Sequence, residues 1–257
     1  MFTIVLGKNT DHPRSSRQSE LTSSIRELQP HSLTPSYTHP PLLPPSQPPF
    51  NTVTMEVLLG ITGKDFTLIA SSKAAMRGAT ILKSSDDKTR ELNEHNLLAF
   101  SGEAGDTTQF AEFIQANIRL YSTRNSTSLP PSATSSFIRT ELATSLRSRS
   151  PYTVNLLLGG YDTSTNKPEL YWIDYLASCA KVPYAAHGYA QYYCLSILDK
   201  HHHPDIDLEK GLKILAMCSE ELRRRLPIDF KGLTLKVVDK NGIREMEYSE
   251  KDKVVAP

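Results

Sequence analysis

Cysteine is scarce in these 257 residues: Cys179, Cys194 and Cys218 stand well apart, with no Cys-x-x-Cys pair among them. That excludes the paired-ligand spacing of a structural zinc site and the disulfide framework of a small secreted domain. The three thiols read as buried and reduced. Charge of one sign is also missing. Lysine and arginine total 29 against 28 acids, a formal charge of +1, so there is no basic stripe to select nucleic acid or an anionic membrane surface. No stretch reaches the roughly 18 apolar residues of a membrane helix, and the opening Met1 to Leu6 run is too short for a signal-peptide core. The composition predicts a soluble, intracellular protein whose partners are proteins. G-x-S-x-G, P-loop and G-x-G-x-x-G patterns are absent, which leaves serine hydrolysis and nucleotide binding without a motif.

What the chain does have is 39% hydrophobic residues, enough for the core of one large domain. Its character changes near Met55. Nine of the 17 prolines precede that residue, most of them in PHSLTPSYTHPPLLPPSQPP from Pro30 to Pro49, a run that holds neither helix nor sheet. Residues 1–54 therefore read as a disordered extension or a misassigned start, 55–250 as the folded domain, and 251–257 as a tail.

From Met55 the pattern turns to short strands: Val57 to Ile61, Phe66 to Ser71, Thr80 to Leu82, Arg90 to Leu92 and Leu97 to Ser101. Gly102 to Asp106 then breaks the strand and places an acid at a helix start. Phe110, Phe113, Ile114, Asn117, Ile118 and Tyr121 predict one apolar stripe on that helix. A second helix follows Pro130-Pro131 and carries Phe137, Ile138, Leu142 and Leu146. Tyr152 to Gly160 and Leu170 to Tyr175 read as strands around a loop from Asp162 to Pro168. Helices return at Ala190 to Lys200 and from Asp207, the latter with Leu208, Leu212, Leu215, Cys218 or Ser219, Leu222 and Leu226 on one face. Leu233 to Asp239 and Ile243 to Glu247, around Asn241-Gly242, form the strongest hairpin signal. Grouped strands and grouped helices imply antiparallel sheets. The fold class is α+β, a four-layer αββα sandwich with one helix layer outside each of two stacked sheets.

The blocks VLLGITGKDFTLIASSKAAMRG, FSGEAGDTTQFAEFIQANIRLY, VNLLLGGYD, PELYWIDY, YAAHGY and DFKGLTLKVVDKNGI, in this order from Met55 to about Glu247, resemble the beta-type subunits of the proteasome core. Within that family they look most like the non-catalytic type-2 subunit, at the fourth position of the beta ring. The resemblance implies the sandwich of the N-terminal-nucleophile hydrolases. It also implies partners in the same ring, across the ring-ring interface and in the alpha ring, and work on ubiquitin-marked proteins in cytoplasm and nucleus. Active relatives cut peptide bonds with an N-terminal threonine whose own amine is the base, helped by a lysine, an aspartate and a backbone N–H that stabilises the oxyanion.

The parts of that machinery are largely missing here. Self-processing needs a glycine before the nucleophile, and none of the 12 glycines is followed by Thr, Ser or Cys. The alignment puts Glu56 in the threonine's place and Ser72 in the aspartate's, and a hydroxyl cannot stabilise an ammonium as a carboxylate does. Lys88 and Gly102 match the lysine and the oxyanion glycine, Gly188-Tyr189-Ala190-Gln191 replaces a serine-containing loop, and Asp199 falls at a supporting acid position. His201-His202-His203 suggests metal only superficially, since three consecutive side chains do not converge on one tetrahedral centre. The expectation is a structural ring subunit with no catalytic residue, no cofactor and no metal. The alternative is an active threonine hydrolase exposing Thr52 or Thr54 after trimming.

Overall fold

The computed structural model of the chain describes residues 55–77 and 80–246. The expected extension 1–54 and tail 251–257 lie outside the described residues. The elements run β1 (Val57–Thr62), β2 (Phe66–Ser72), β3 (Ala75–Arg77), β4 (Thr80–Lys83), β5 (Thr89–Asn93) and β6 (Asn96–Gly102), then α1 (Asp106–Asn125) and α2 (Pro131–Leu146). They continue with β7 (Val154–Asp162), β8 (Lys167–Ile173), β9 (Cys179–Lys181), β10 (Tyr184–Gly188), α3 (Ala190–His201), α4 (Leu208–Arg225), β11 (Leu233–Asp239) and β12 (Gly242–Met246). One sheet has the order β10-β1-β2-β11-β12 and the other β5-β6-β7-β8-β9, with a small β3-β4 ribbon beside them.

Three apolar layers follow from the strand alternation. In β1, Val57, Leu59 and Ile61 point to α3 and α4, while Leu58 points to the opposing sheet. In β7, Leu156 and Leu158 meet α1 and α2, while Leu157 joins the layer between the sheets. Strands covered on both faces lose the alternation of buried and exposed positions, and β1, β2 and β7 are buried almost throughout. The result is the αββα sandwich.

The sheets approach closely where side chains are missing. A Cβ on Gly159 would stand 2.9 Å from Ile69 Cγ1 and 3.0 Å from Thr67 Cγ2, and one on Gly60 would meet Leu170 Cδ1 at 2.9 Å. Gly159→Val is expected to cost about 1–3 kcal/mol by overpacking this layer. A lowered thermal midpoint would register it, and an unchanged one would mean the sheets yield freely.

The structure corrects several expectations. On α1 only Phe110, Ile114 and Ile118 of the predicted stripe are buried; Phe113 and Tyr121 are 43% and 40% exposed and Asn117 is half-buried. Packing on a flat sheet uses the i, i+4, i+8 row with Thr107 and Ala111, and turns the neighbouring row outward. On α2, Leu146 is exposed as well. Cys179 is half-buried on an edge strand, unlike Cys194 and Cys218. The loop expected from Asp162 to Pro168 is shorter, since Lys167 and Pro168 begin β8 on a stretch β9 does not reach, where a missing N–H is tolerated. Strands β3, β9 and β10 went unread because three residues, or a run as small as Tyr184-Ala185-Ala186, carry too little periodicity.

Candidate functional site

At one end of the sandwich, β1 begins with the Val57 N–H donating to Ser72 Oγ at 3.2 Å. Ser72 closes β2, the strand beside β1, so its hydroxyl caps its neighbour's first amide. Lys88, on the approach to β5, is only 2% exposed. Its ammonium donates to Ser72 O at 3.1 Å and Ala74 O at 2.9 Å, and pairs with Asp86 Oδ2 at 3.3 Å. A buried ammonium is tolerable because acceptors replace its lost water.

Gly102 ends β6 at φ +144°, and a Cβ there would stand 2.2 Å from Thr153 O, so only glycine fits. Its N–H donates to Glu56 Oε2 at 3.3 Å. Burial raises the Glu56 carboxyl above the usual carboxylate range, the Lys88 charge and the Gly102 N–H pull it back, and Asp86 adds a smaller upward push. Glu56, Ser72, Lys88 and Gly102, scattered over 47 positions of sequence, thus meet in one corner. That corner offers a carboxyl group, an occupied hydroxyl and an ammonium bound on three sides. None of these four residues carries a free hydroxyl or thiol with a base beside it.

Gly188 joins them, since it pairs with Val57 at φ +69° and leads through Tyr189 into α3. Asp199 does not. It accepts from Tyr184 Oη at 2.5 Å, and Tyr184 pairs with Ile61, four residues along β1 and roughly 13 Å from its start at ~3.3 Å per residue. Its assignment to a supporting position in the cleft is therefore corrected: α3 carries it to the other end. The loop carrying Asp229 comes to this side instead, where Gly232 O accepts from Lys73 N–H at 3.1 Å and Asp229 pairs with Lys231. Sequence reading also passed over Asp87. Burial alone would raise its carboxyl, but Lys236 and Thr89 together hold it below the usual range. Lys236, 8% exposed on β11, donates to Asp87 Oδ2 at 2.9 Å and Thr89 Oγ1 at 2.7 Å, tying one sheet to the other. Of the three histidines, His202 packs against Tyr184 with its Nε2 3.0 Å from Thr62 O. Among the described residues no cluster of His, Cys, Asp or Glu is placed to hold a metal ion.

Comparison with known proteins adds the family. A family model described as proteasome subunit matches residues 55–238. The chain belongs to the proteasome subunit family. It is 74% identical over 201 residues to the probable proteasome subunit beta type-4 of Neurospora crassa, which covers 78% of this chain and 98% of that protein. To the proteasome subunit beta type-4 of Saccharomyces cerevisiae it is 56% identical over 193 residues, covering 75% and 98%. The proteasome subunit beta type-2 of Oryza sativa subsp. japonica is 42% identical over 191 residues, covering 74% and 89%. These identities overturn the expectation that the type-2 subunit is the best match within the proteasome family, because the proteins named type-4 are far more alike.

Proposed function

We propose that this proteasome subunit is a beta-type, non-catalytic member of the core particle, whose work lies in its interfaces. It takes its place beside other beta subunits in the ring, across the ring-ring interface and under the alpha ring. There it forms chamber wall and supports degradation of ubiquitin-marked proteins in cytoplasm and nucleus. The observation that carries this reading is Glu56: the residue at the head of β1 bears no hydroxyl or thiol, and its carboxyl group occupies the Gly102 N–H. The neighbouring Ser72 Oγ already accepts the Val57 N–H, and Lys88 is held by Ser72, Ala74 and Asp86. None of these groups is set up to attack a carbonyl.

Covalent probes that react with N-terminal threonine should label other beta subunits of purified particles and leave this chain at its unmodified mass. Stoichiometric labelling of this chain, or N-terminal sequencing that finds an exposed threonine, would end the non-catalytic reading.

A further inference from the structure

We infer that Glu56 is an internal ligand: its carboxyl group fills, from within the chain, a small anion position formed by the Gly102 N–H beside the buried Lys88 ammonium. A small monocarboxylate such as formate takes that position when the glutamate side chain is cut back. The inference deepens the non-catalytic reading and rests on it.

The geometry is fixed from both sides. The Val57 N–H bond to Ser72 Oγ anchors the backbone next to Glu56, and the Gly102 N–H holds the carboxyl end at 3.3 Å. Gly102 admits no Cβ against Thr153 O, so a bare amide faces the position. Lys88 cannot swing away, because two carbonyls and Asp86 hold its ammonium. The surroundings are polar too. Ser71 Oγ and Ser101 Oγ, both buried and without a hydrogen-bond partner among the described residues, sit next to Ser72 and Gly102 on the strand faces between the sheets.

Two influences favour an anion here, and two oppose it, the smaller of these being the charge of Asp86. The Lys88 charge and the Gly102 N–H both lower the Glu56 carboxyl, and burial raises it. What resists charge is chiefly dryness. Truncation to alanine lets solvent in, relieves that cost, and leaves a donor unpaired beside a fixed cation. Formate carries the same two oxygens on one carbon. A consequence for function follows: a peptide carbonyl entering this corner finds the Gly102 N–H already occupied, so this donor is closed to it.

The test uses assembled particles from cells whose only copy of this chain carries Glu56→Ala or Glu56→Gln. Crystals are soaked at pH 7 in sodium formate, or in sodium chloride at equal ionic strength. Formate density within hydrogen-bond distance of Gly102 N is expected in the alanine variant. It should be absent in wild type and in the glutamine variant, where a side-chain oxygen keeps the donor. In solution, formate but not chloride should raise the thermal midpoint of the alanine particle and leave wild type unmoved. Water alone at Gly102 in the soaked alanine crystals, equal formate in all three proteins, or chloride in formate's place overturns the inference; the last would mean an adventitious ion only. Assembly of the glutamine variant with failure of the alanine variant supports it, since an occupant is then required, and equal failure of both overturns it. Threonine-probe labelling of wild type tests the underlying reading separately.

Discussion

Cells whose only copy of this chain carries Leu215→Asp are expected to yield little or no assembled particle containing it. Leu215 is 1% exposed on α4, in the layer where Phe66, Leu68, Cys194 and Leu222 also lie. Aspartate there forfeits the burial of a leucine, about 1.5–3 kcal/mol, and places a carboxylate in an apolar layer. The sum approaches the roughly 5–15 kcal/mol that separates folded from unfolded chains. Met217→Asp, two residues on and 37% exposed, serves as the control and should assemble far better. Quantifying this chain in native-gel particle bands decides the matter, and normal yield from the Leu215→Asp strain would mean that the buried face of α4 is misassigned.

Acid should weaken the fold through His187, the second large effect. This residue is 4% exposed on β10, stacks on Trp172 at 5.1 Å between ring centroids, and reaches Leu156 O from Nε2 at 3.0 Å. Burial pushes its pKa down to about 4 from 6.5, against the pull of the Leu156 and Ile173 carbonyls and the Asp174 charge. The sign follows from proton counting. Between pH 6.5 and about 4 the unfolded chain binds a proton at this residue that the native chain refuses, so stability is complete above 6.5 and falls as pH drops through that window. At about 1.4 kcal/mol per pKa unit the loss amounts to about 3 kcal/mol. Denaturation midpoints measured from pH 7 to pH 4 should fall more steeply for wild type than for His187→Gln, which removes the titrating ring. Parallel slopes would show that His187 is not the group responsible. Glu56, with its raised pKa, acts in the opposite sense, which is why the comparison with a variant at 187 is needed.

The corner at the head of β1 shows how far residue-by-residue reading reaches. Glu56, Ser72, Lys88 and Gly102 were each marked from the sequence by resemblance, and the antiparallel β1-β2 pairing with the β5-β6 hairpin does bring them together. Asp199 was misplaced for a definite reason. A helix of 12 residues is about 18 Å long, so a residue near its far end lies well away from the loop that begins it, however close the two are in sequence. Asp87 escaped notice because its partner, Lys236, is 149 residues away.

The sequence by itself determined the family, the two helix pairs, the strands with strong alternation or tight turns, and that no glycine precedes Thr, Ser or Cys. These are local facts: periodicity, a Gly-Thr pair that does not occur, a residue type without a hydroxyl. Only the tertiary structure decided which face of α1 is buried, that Tyr184–Gly188 is a strand, and that the carboxyl of Glu56 sits on the Gly102 amide. Each of those depends on what packs opposite. A small-residue strand such as Tyr184-Ala185-Ala186 has no pattern of its own and becomes a strand because β1 offers it an edge of unpaired amides and carbonyls.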